Sequence, residues 1–161
     1  MCIRDRLRGA RALVVGSGGV GSAIAASLAN ADVAELGLFD ANTPTMNGLA
    51  DRLRRYYPNL KIAVGSNDPA GWDIVVNATP LGMKDGDPLP MEVARIAPST
   101  FVGEVVMKNE VTPFLAAAQA RGCESQVGVD MLFEQIPAYL EFFGFRTTTP
   151  DELRAVARIG Y

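Results

Sequence analysis

Leu13-Val14-Val15-Gly16-Ser17-Gly18-Gly19-Val20-Gly21-Ser22-Ala23-Ile24-Ala25 is the stretch that decides the fold. The uninterrupted apolar run from Ala12 to Val15 reads as a strand buried on both faces, as at the centre of a parallel sheet. In the G-x-G-x-x-G pattern that follows, Gly16 permits a tight reversal and Gly18 lets main chain approach a pyrophosphate. Gly21 lets the next helix, expected over about Gly19 to Asn30, pack close to the strand. That helix would offer unpaired N–H groups and a partial positive charge to an anion, worth roughly 0.3–1 kcal/mol at an exposed site. An ordinary tight turn would also need glycines, so the motif takes its weight from context: a strand before it, a helix after it, and Asp40 about 20 residues on.

Working outward, Glu35 to Asp40 is a second strand with the carboxylate at its end, where a ribose should arrive. A carboxylate there accepts from both hydroxyls of NAD but faces the 2′-phosphate of NADP. At about 4 Å and an effective dielectric near 20, each like-charge pair costs roughly 4 kcal/mol before screening. The expected cofactor is therefore NAD, with Asp40 read otherwise as a turn residue.

Further strands are expected at Lys61 to Val64, Asp73 to Pro80, Thr100 to Met107 and Ser125 to Gly128. Helices should start at Thr43-Pro44, at Thr112-Pro113 (Phe114 to Gly122) and at Asp130, with a helical turn over Met91 to Ile96. Pro137 should kink or restart the helix that contains it. Thr149-Pro150-Asp151-Glu152 reads as a capping box that introduces Leu153, Val156 and Ala157 on one face. Phe142, Phe143 and Phe145 either pack internally or form an exposed patch. Strand and helix alternate almost throughout, which predicts an α/β, Rossmann-like doubly wound parallel sheet of about six strands with helices on both faces. Asn77 and Thr79 fall at a strand C-terminus, the ligand-binding edge of such sheets.

The bulk properties exclude several classes. The 161 residues have room for one domain, expected over residues 11–161, with 1–10 read as an appendage that lacks periodicity. A net charge of -3 offers no basic stripe for nucleic acid. Cys2 and Cys123 lack metal-ligand spacing, histidine is absent, and no metal is expected. Reduced cysteines and the lack of a membrane-length apolar run point to a cytoplasmic protein. With no histidine, proton transfer near neutral pH would fall to lysine, carboxylate, tyrosine or water.

Asn77-Ala78-Thr79-Pro80-Leu81-Gly82-Met83, Thr112-Pro113-Phe114-Leu115, and Gly128 followed by Met131-Leu132 and Gln135 join the glycine loop in a familiar order. From about Arg11 onward the chain resembles the C-terminal, cofactor-binding half of the shikimate dehydrogenase family. That resemblance implies hydride transfer between NAD(P) and shikimate/3-dehydroshikimate or a related polyol acid such as quinate. It assigns Gly16, Ser17, Gly18, Gly19 and Val20 to the pyrophosphate, and Thr79, Val105, Gly128 and Met131 to the ribose and nicotinamide. Asn77 is counted with these cofactor residues, and Gln135 matches the glutamine that reaches a substrate hydroxyl. Two departures stand out. The family's Asn-Arg-Thr, whose arginine holds the NADP phosphate, is here Asp40-Ala41-Asn42, and its Asp-x-x-Tyr is Glu104-Val105-Val106-Met107. The catalytic lysine and aspartate belong to an N-terminal substrate domain with no counterpart in these residues. No residue is therefore assigned as catalytic, and Lys108 reads as a solvated loop residue. The chain is expected to bind dinucleotide without turnover. The other reading is a stand-alone NAD-binding module acting as a sensor or partner subunit, and oligomeric state stays open.

Overall fold

The computed structural model describes residues 7–157; the appendage reading of Met1 to Arg6, and with it Cys2, lies outside the described residues. The apolar segments become six parallel strands: β1 (Arg11–Val15), β2 (Glu35–Phe39), β3 (Lys61–Val64), β4 (Ile74–Asn77), β5 (Phe101–Glu104) and β6 (Ser125–Gln126). Their order across the sheet is β3-β2-β1-β4-β5-β6. The chain winds outward from β1 to one edge and then from β4 to the other, so a crevice opens between β1 and β4, where the winding reverses. Helices α1 (Gly19–Asn30), α2 (Thr43–Tyr56), α3 (Pro113–Ala120), α4 (Gly128–Phe142) and α5 (Pro150–Val156) complete the domain.

Two apolar clusters lie on the two faces of the sheet. Ala12, Val14, Leu36 and Leu38 pack with α1 and α2, while Leu13, Val15, Val75 and Val102 pack with α3. Alternate residues of β1 enter different clusters, and Ala12, Leu13 and Val14 are fully buried. That two-sided burial is why the strand shows no polar alternation.

Several boundaries shift for local reasons. Asn42, one residue before the expected start, caps α2 by accepting from the Thr45 N–H at 3.0 Å, which leaves Thr43-Pro44 inside the first turn. Pairing ends at Asn77 and Glu104, earlier than expected, because the following residues turn into the crevice loops. The Met91–Ile96 turn is a short 3-10 segment, Val93–Arg95. α4 begins at Gly128 rather than Asp130 and runs through Pro137 without a restart. Both halves of the Thr149–Glu152 capping box form. No residue of α5 is buried, however, so its expected apolar face stays open at Val156 and Ala157. α5 is held instead by Arg154, which pairs with Glu134 at 2.8 Å and Asp130 at 3.4 Å on α4. Phe142, Phe143 and Phe145 form an exposed patch. Residues 7–10 are not an appendage: Gly9 donates to the Asp32 carbonyl at 2.9 Å, Ala10 is buried, and Leu7 packs on the first cluster.

The tightest joint is the first crossover. Gly16 has φ +107°, a left-handed value, and a Cβ there would sit 2.5 Å from the Ala78 carbonyl oxygen. A Cβ on Gly21 would run into the Gly16 carbonyl oxygen. Backbone offers no flexible end to move aside, so Gly21→Ala should lower stability by at least about 2 kcal/mol in chemical unfolding. Gly48→Ala, whose Cβ would meet the end of Arg52 at 3.6 Å, should match or exceed wild type, since alanine is the better helix former.

Candidate dinucleotide site

The crevice is a cavity of about 680 Å3 at the C-terminal ends of β1, β2, β4 and β5. Its floor is the glycine loop. Its walls are Asp40 and Ala41 after β2, the Ala78–Leu81 loop after β4, and Val105 after β5. Another depression, of about 600 Å3, opens at the N-terminal edge of the sheet beside Arg8, Asp73 and Ser99, the wrong end of the strands for ligands of this fold.

Two polar side chains shape the walls. The Asp40 carboxylate accepts from the Ser17 N–H at 2.6 Å and from the Asn42 N–H at 2.8 Å, tying the first crossover loop to the second. Each oxygen keeps a further lone pair for a ligand hydroxyl. Asn77 is fully buried. Its Oδ1 accepts from the Thr79 N–H at 3.1 Å and the Thr79 hydroxyl at 2.6 Å, and its Nδ2 donates to the Leu81 carbonyl at 3.1 Å. Thr79 Oγ1 in turn accepts from the Leu81 N–H at 3.1 Å. The loop thus turns around one carboxamide, with its backbone groups satisfied where strand pairing has ended.

Among the sequence-predicted residues, Gly16, Gly18, Gly19, Val20, Asp40, Thr79 and Val105 line this cavity together. Ser17 does not: its side chain is buried, and it contributes through the N–H bonded to Asp40. Asn77, expected as a contact residue, stands behind the wall and shapes it. Gly128 is pressed against the Val105–Val106 backbone, where any Cβ would clash, so α4 starts beside a cavity residue. Met131 and Gln135 follow Gly128 on one face of α4 at helical spacing, outside the cavity lining. The Gln135 Oε1 accepts from the Tyr139 hydroxyl at 2.9 Å. Lys108 is half-exposed, 3.6 Å from Asp85.

Sequence reading missed Asn67, Leu89 and Pro90, which also line the cavity. Asn67 Nδ2 donates to the Pro90 carbonyl at 3.0 Å and joins two loops 23 residues apart; the pair of prolines around Leu89 was the available signal.

A dinucleotide fits this cradle on its own evidence. Ideal Cβ atoms on Gly18 and Gly19 would meet nothing within 4 Å, and both residues line the cavity, so their main chain lies open to a ligand there. The first N–H groups of the twelve-residue α1 lie beside that opening, with no side-chain cap.

The fold and cradle define the class: a Rossmann-like dinucleotide-binding domain. No family model matches the chain. A shikimate dehydrogenase (NADP(+)) of Paracoccus denitrificans is 39% identical over 149 residues, covering 89% of this chain and 51% of that protein. Among solved structures, quinate dehydrogenase from Corynebacterium glutamicum in complex with NAD aligns with TM-score 0.80 and 30% identity, covering 92% of this chain and 54% of that one. A 5-ketofructose reductase of Gluconobacter aligns with TM-score 0.79 and 27% identity, covering 90% and 54%. The chain belongs to the shikimate dehydrogenase family, of which it matches the NAD(P)-binding domain, and it spans about half the length of the curated relatives it matches.

Gly18 has φ −69°, which alanine adopts without strain. Gly18→Ala should therefore change stability by less than about 0.5 kcal/mol while placing a methyl group in the cradle. Isothermal titration with NAD should show affinity at least about tenfold weaker, or 1.4 kcal/mol.

Proposed function

We propose that this chain is the cofactor-binding portion of a shikimate dehydrogenase-like oxidoreductase, acting between NAD(P) and shikimate/3-dehydroshikimate or a related polyol acid such as quinate. The observation that carries the reading is the open room over Gly18 and Gly19 beside the start of α1. The names of the similar proteins support the substrate class, a hydroxylated ring acid or ketose. When bound, the nicotinamide supplies the hydride acceptor, so an alcohol carbon becomes a ketone as its hydroxyl proton leaves to a base.

The residues divide that work. The glycine loop and the start of α1 hold the pyrophosphate. Thr79, Val105, Gly128 and Met131 line the ribose and nicotinamide, and Gln135 reaches a substrate hydroxyl. The base is not among these residues. The 161-residue chain alone therefore binds dinucleotide without oxidising shikimate, and shikimate-dependent NADH formation by it would overturn this.

NAD is the preferred dinucleotide. The curated relatives are named for NADP(+), but here Asp40 projects a carboxylate where a 2′-phosphate would come, and Ala41 supplies no cation. Calorimetric titrations should give NAD an affinity at least about tenfold higher than NADP, a difference of 1.4 kcal/mol. Asp40→Asn should narrow that ratio by removing the charge while weakening both ligands, because Ser17 and Asn42 donate to different carboxylate oxygens and an amide would set its NH2 against one of these N–H groups. Equal or better binding of NADP by wild type would refute the preference.

A further inference from the structure

Glu104 ends β5 as a carboxyl only 5% exposed, and the dinucleotide reading gives it no part. Its Oε1 has no hydrogen-bond partner, while Oε2 lies 3.5 Å from Asn77 Nδ2. The two residues are direct neighbours in the parallel register. A buried, half-satisfied carboxyl is costly, so its surroundings must gain something from it.

What they gain is a choice of orientation. Asn77 holds the loop with its carbonyl toward Thr79 and its NH2 toward Leu81 and Glu104. Turned over, the same carboxamide would set its oxygen against the Leu81 carbonyl and the Glu104 carboxyl, and its NH2 against the Thr79 N–H. We propose that Glu104 is a positioning residue: its carboxylate selects the Asn77 orientation and thereby fixes the Thr79–Leu81 wall of the cavity.

Protonation weakens this selection, because a carboxylic acid can donate to an inverted Asn77 oxygen. Burial pushes the Glu104 carboxyl above the ordinary glutamate range, offset in part by the Thr112 hydroxyl and the Asn77 amide. The groups facing it are Asn77 on β4 and Thr112 at the start of α3; neither titrates, and no charged side chain contributes to the shift. Two opposite signs follow. A raised carboxyl pKa means that stability is greatest below the ordinary glutamate value and falls as pH rises through the raised one. The wall, by contrast, is held best above the raised value, where Glu104 is ionised.

Amide hydrogen exchange reads the wall without any ligand. In Glu104→Ala, protection of the Thr79 and Leu81 N–H groups should fall about three- to tenfold relative to Val14, the range of one lost hydrogen bond. Glu104→Gln should lose it as well, to the level of acidified wild type, since its amide, like the protonated carboxyl, can donate to an inverted Asn77 oxygen. On acidification, wild type should fall to the level of Glu104→Gln, which has no carboxyl to titrate there and stays low throughout, although Glu104→Gln melts higher than wild type at pH 8. Unchanged protection in Glu104→Ala, or identical acid profiles for wild type and Glu104→Gln, overturns the proposal. If Glu104→Ala does not fold, the comparison of wild type with Glu104→Gln decides alone. The proposal rests on the dinucleotide reading for its use to the protein, so parallel NAD titrations should show affinity following the protection. Absence of NAD binding with the expected exchange pattern would sink the dinucleotide reading and leave the positioning role standing.

Discussion

Three backbone segments meet at the first crossover more closely than any side chain permits: Gly16, Gly21 and the peptide after Ala78. The rest of the structure depends on this contact. It brings the start of α1 down onto the end of β1, and it brings the loop after β4 alongside. The winding of the sheet reverses at the same place, between β1 and β4. A close-packed interior does not deform gradually, so the glycines convert a topological feature into a cavity of fixed shape. The open room over Gly18 and Gly19 is the other face of that constraint.

Polar groups then finish what sterics begin. Asp40 and Asn77 occupy equivalent places, each at the end of a strand flanking β1 and each taking up main-chain N–H groups that the sheet no longer serves. Asp40 is open to the cavity and carries charge into it, so it bears on which dinucleotide is accepted. Asn77 is sealed beneath its loop and acts only through shape. Charge at the rim and neutrality underneath follow from the cost of burying an ion. Glu104 breaks that pattern, as a carboxyl placed below the wall rather than at its rim.

The sequence made the architecture legible because parallel strands buried on both faces leave unbroken apolar runs, as at Ala12 to Val15, and because glycines at fixed offsets have separate steric tasks. Asp40 was legible for the same reason: a lone charge at the end of an apolar run has few other places to go. Strand ends were harder to read. Beyond Asn77 and Glu104 the residue types still suit a strand, and only the side-chain network of Asn77 shows the chain leaving the sheet. The part of the lining built by Asn67 and Pro90 was hidden because these residues meet through a hydrogen bond between loops, which no periodicity records. Val156 is exposed although its helix is capped as expected. Local signals predict how a helix starts, not what covers its face.

The central claim is that bare main chain at this crossover, bounded by Asp40 and the Ala78–Leu81 loop, receives a dinucleotide. Amide chemical shifts of the isotopically labelled chain during addition of NAD test it most directly. The account predicts that the largest changes fall on Gly18, Gly19, Thr79 and Val105. Changes centred instead on Ser99 and Gly122 at the opposite edge of the sheet, or none at saturating NAD, would contradict it.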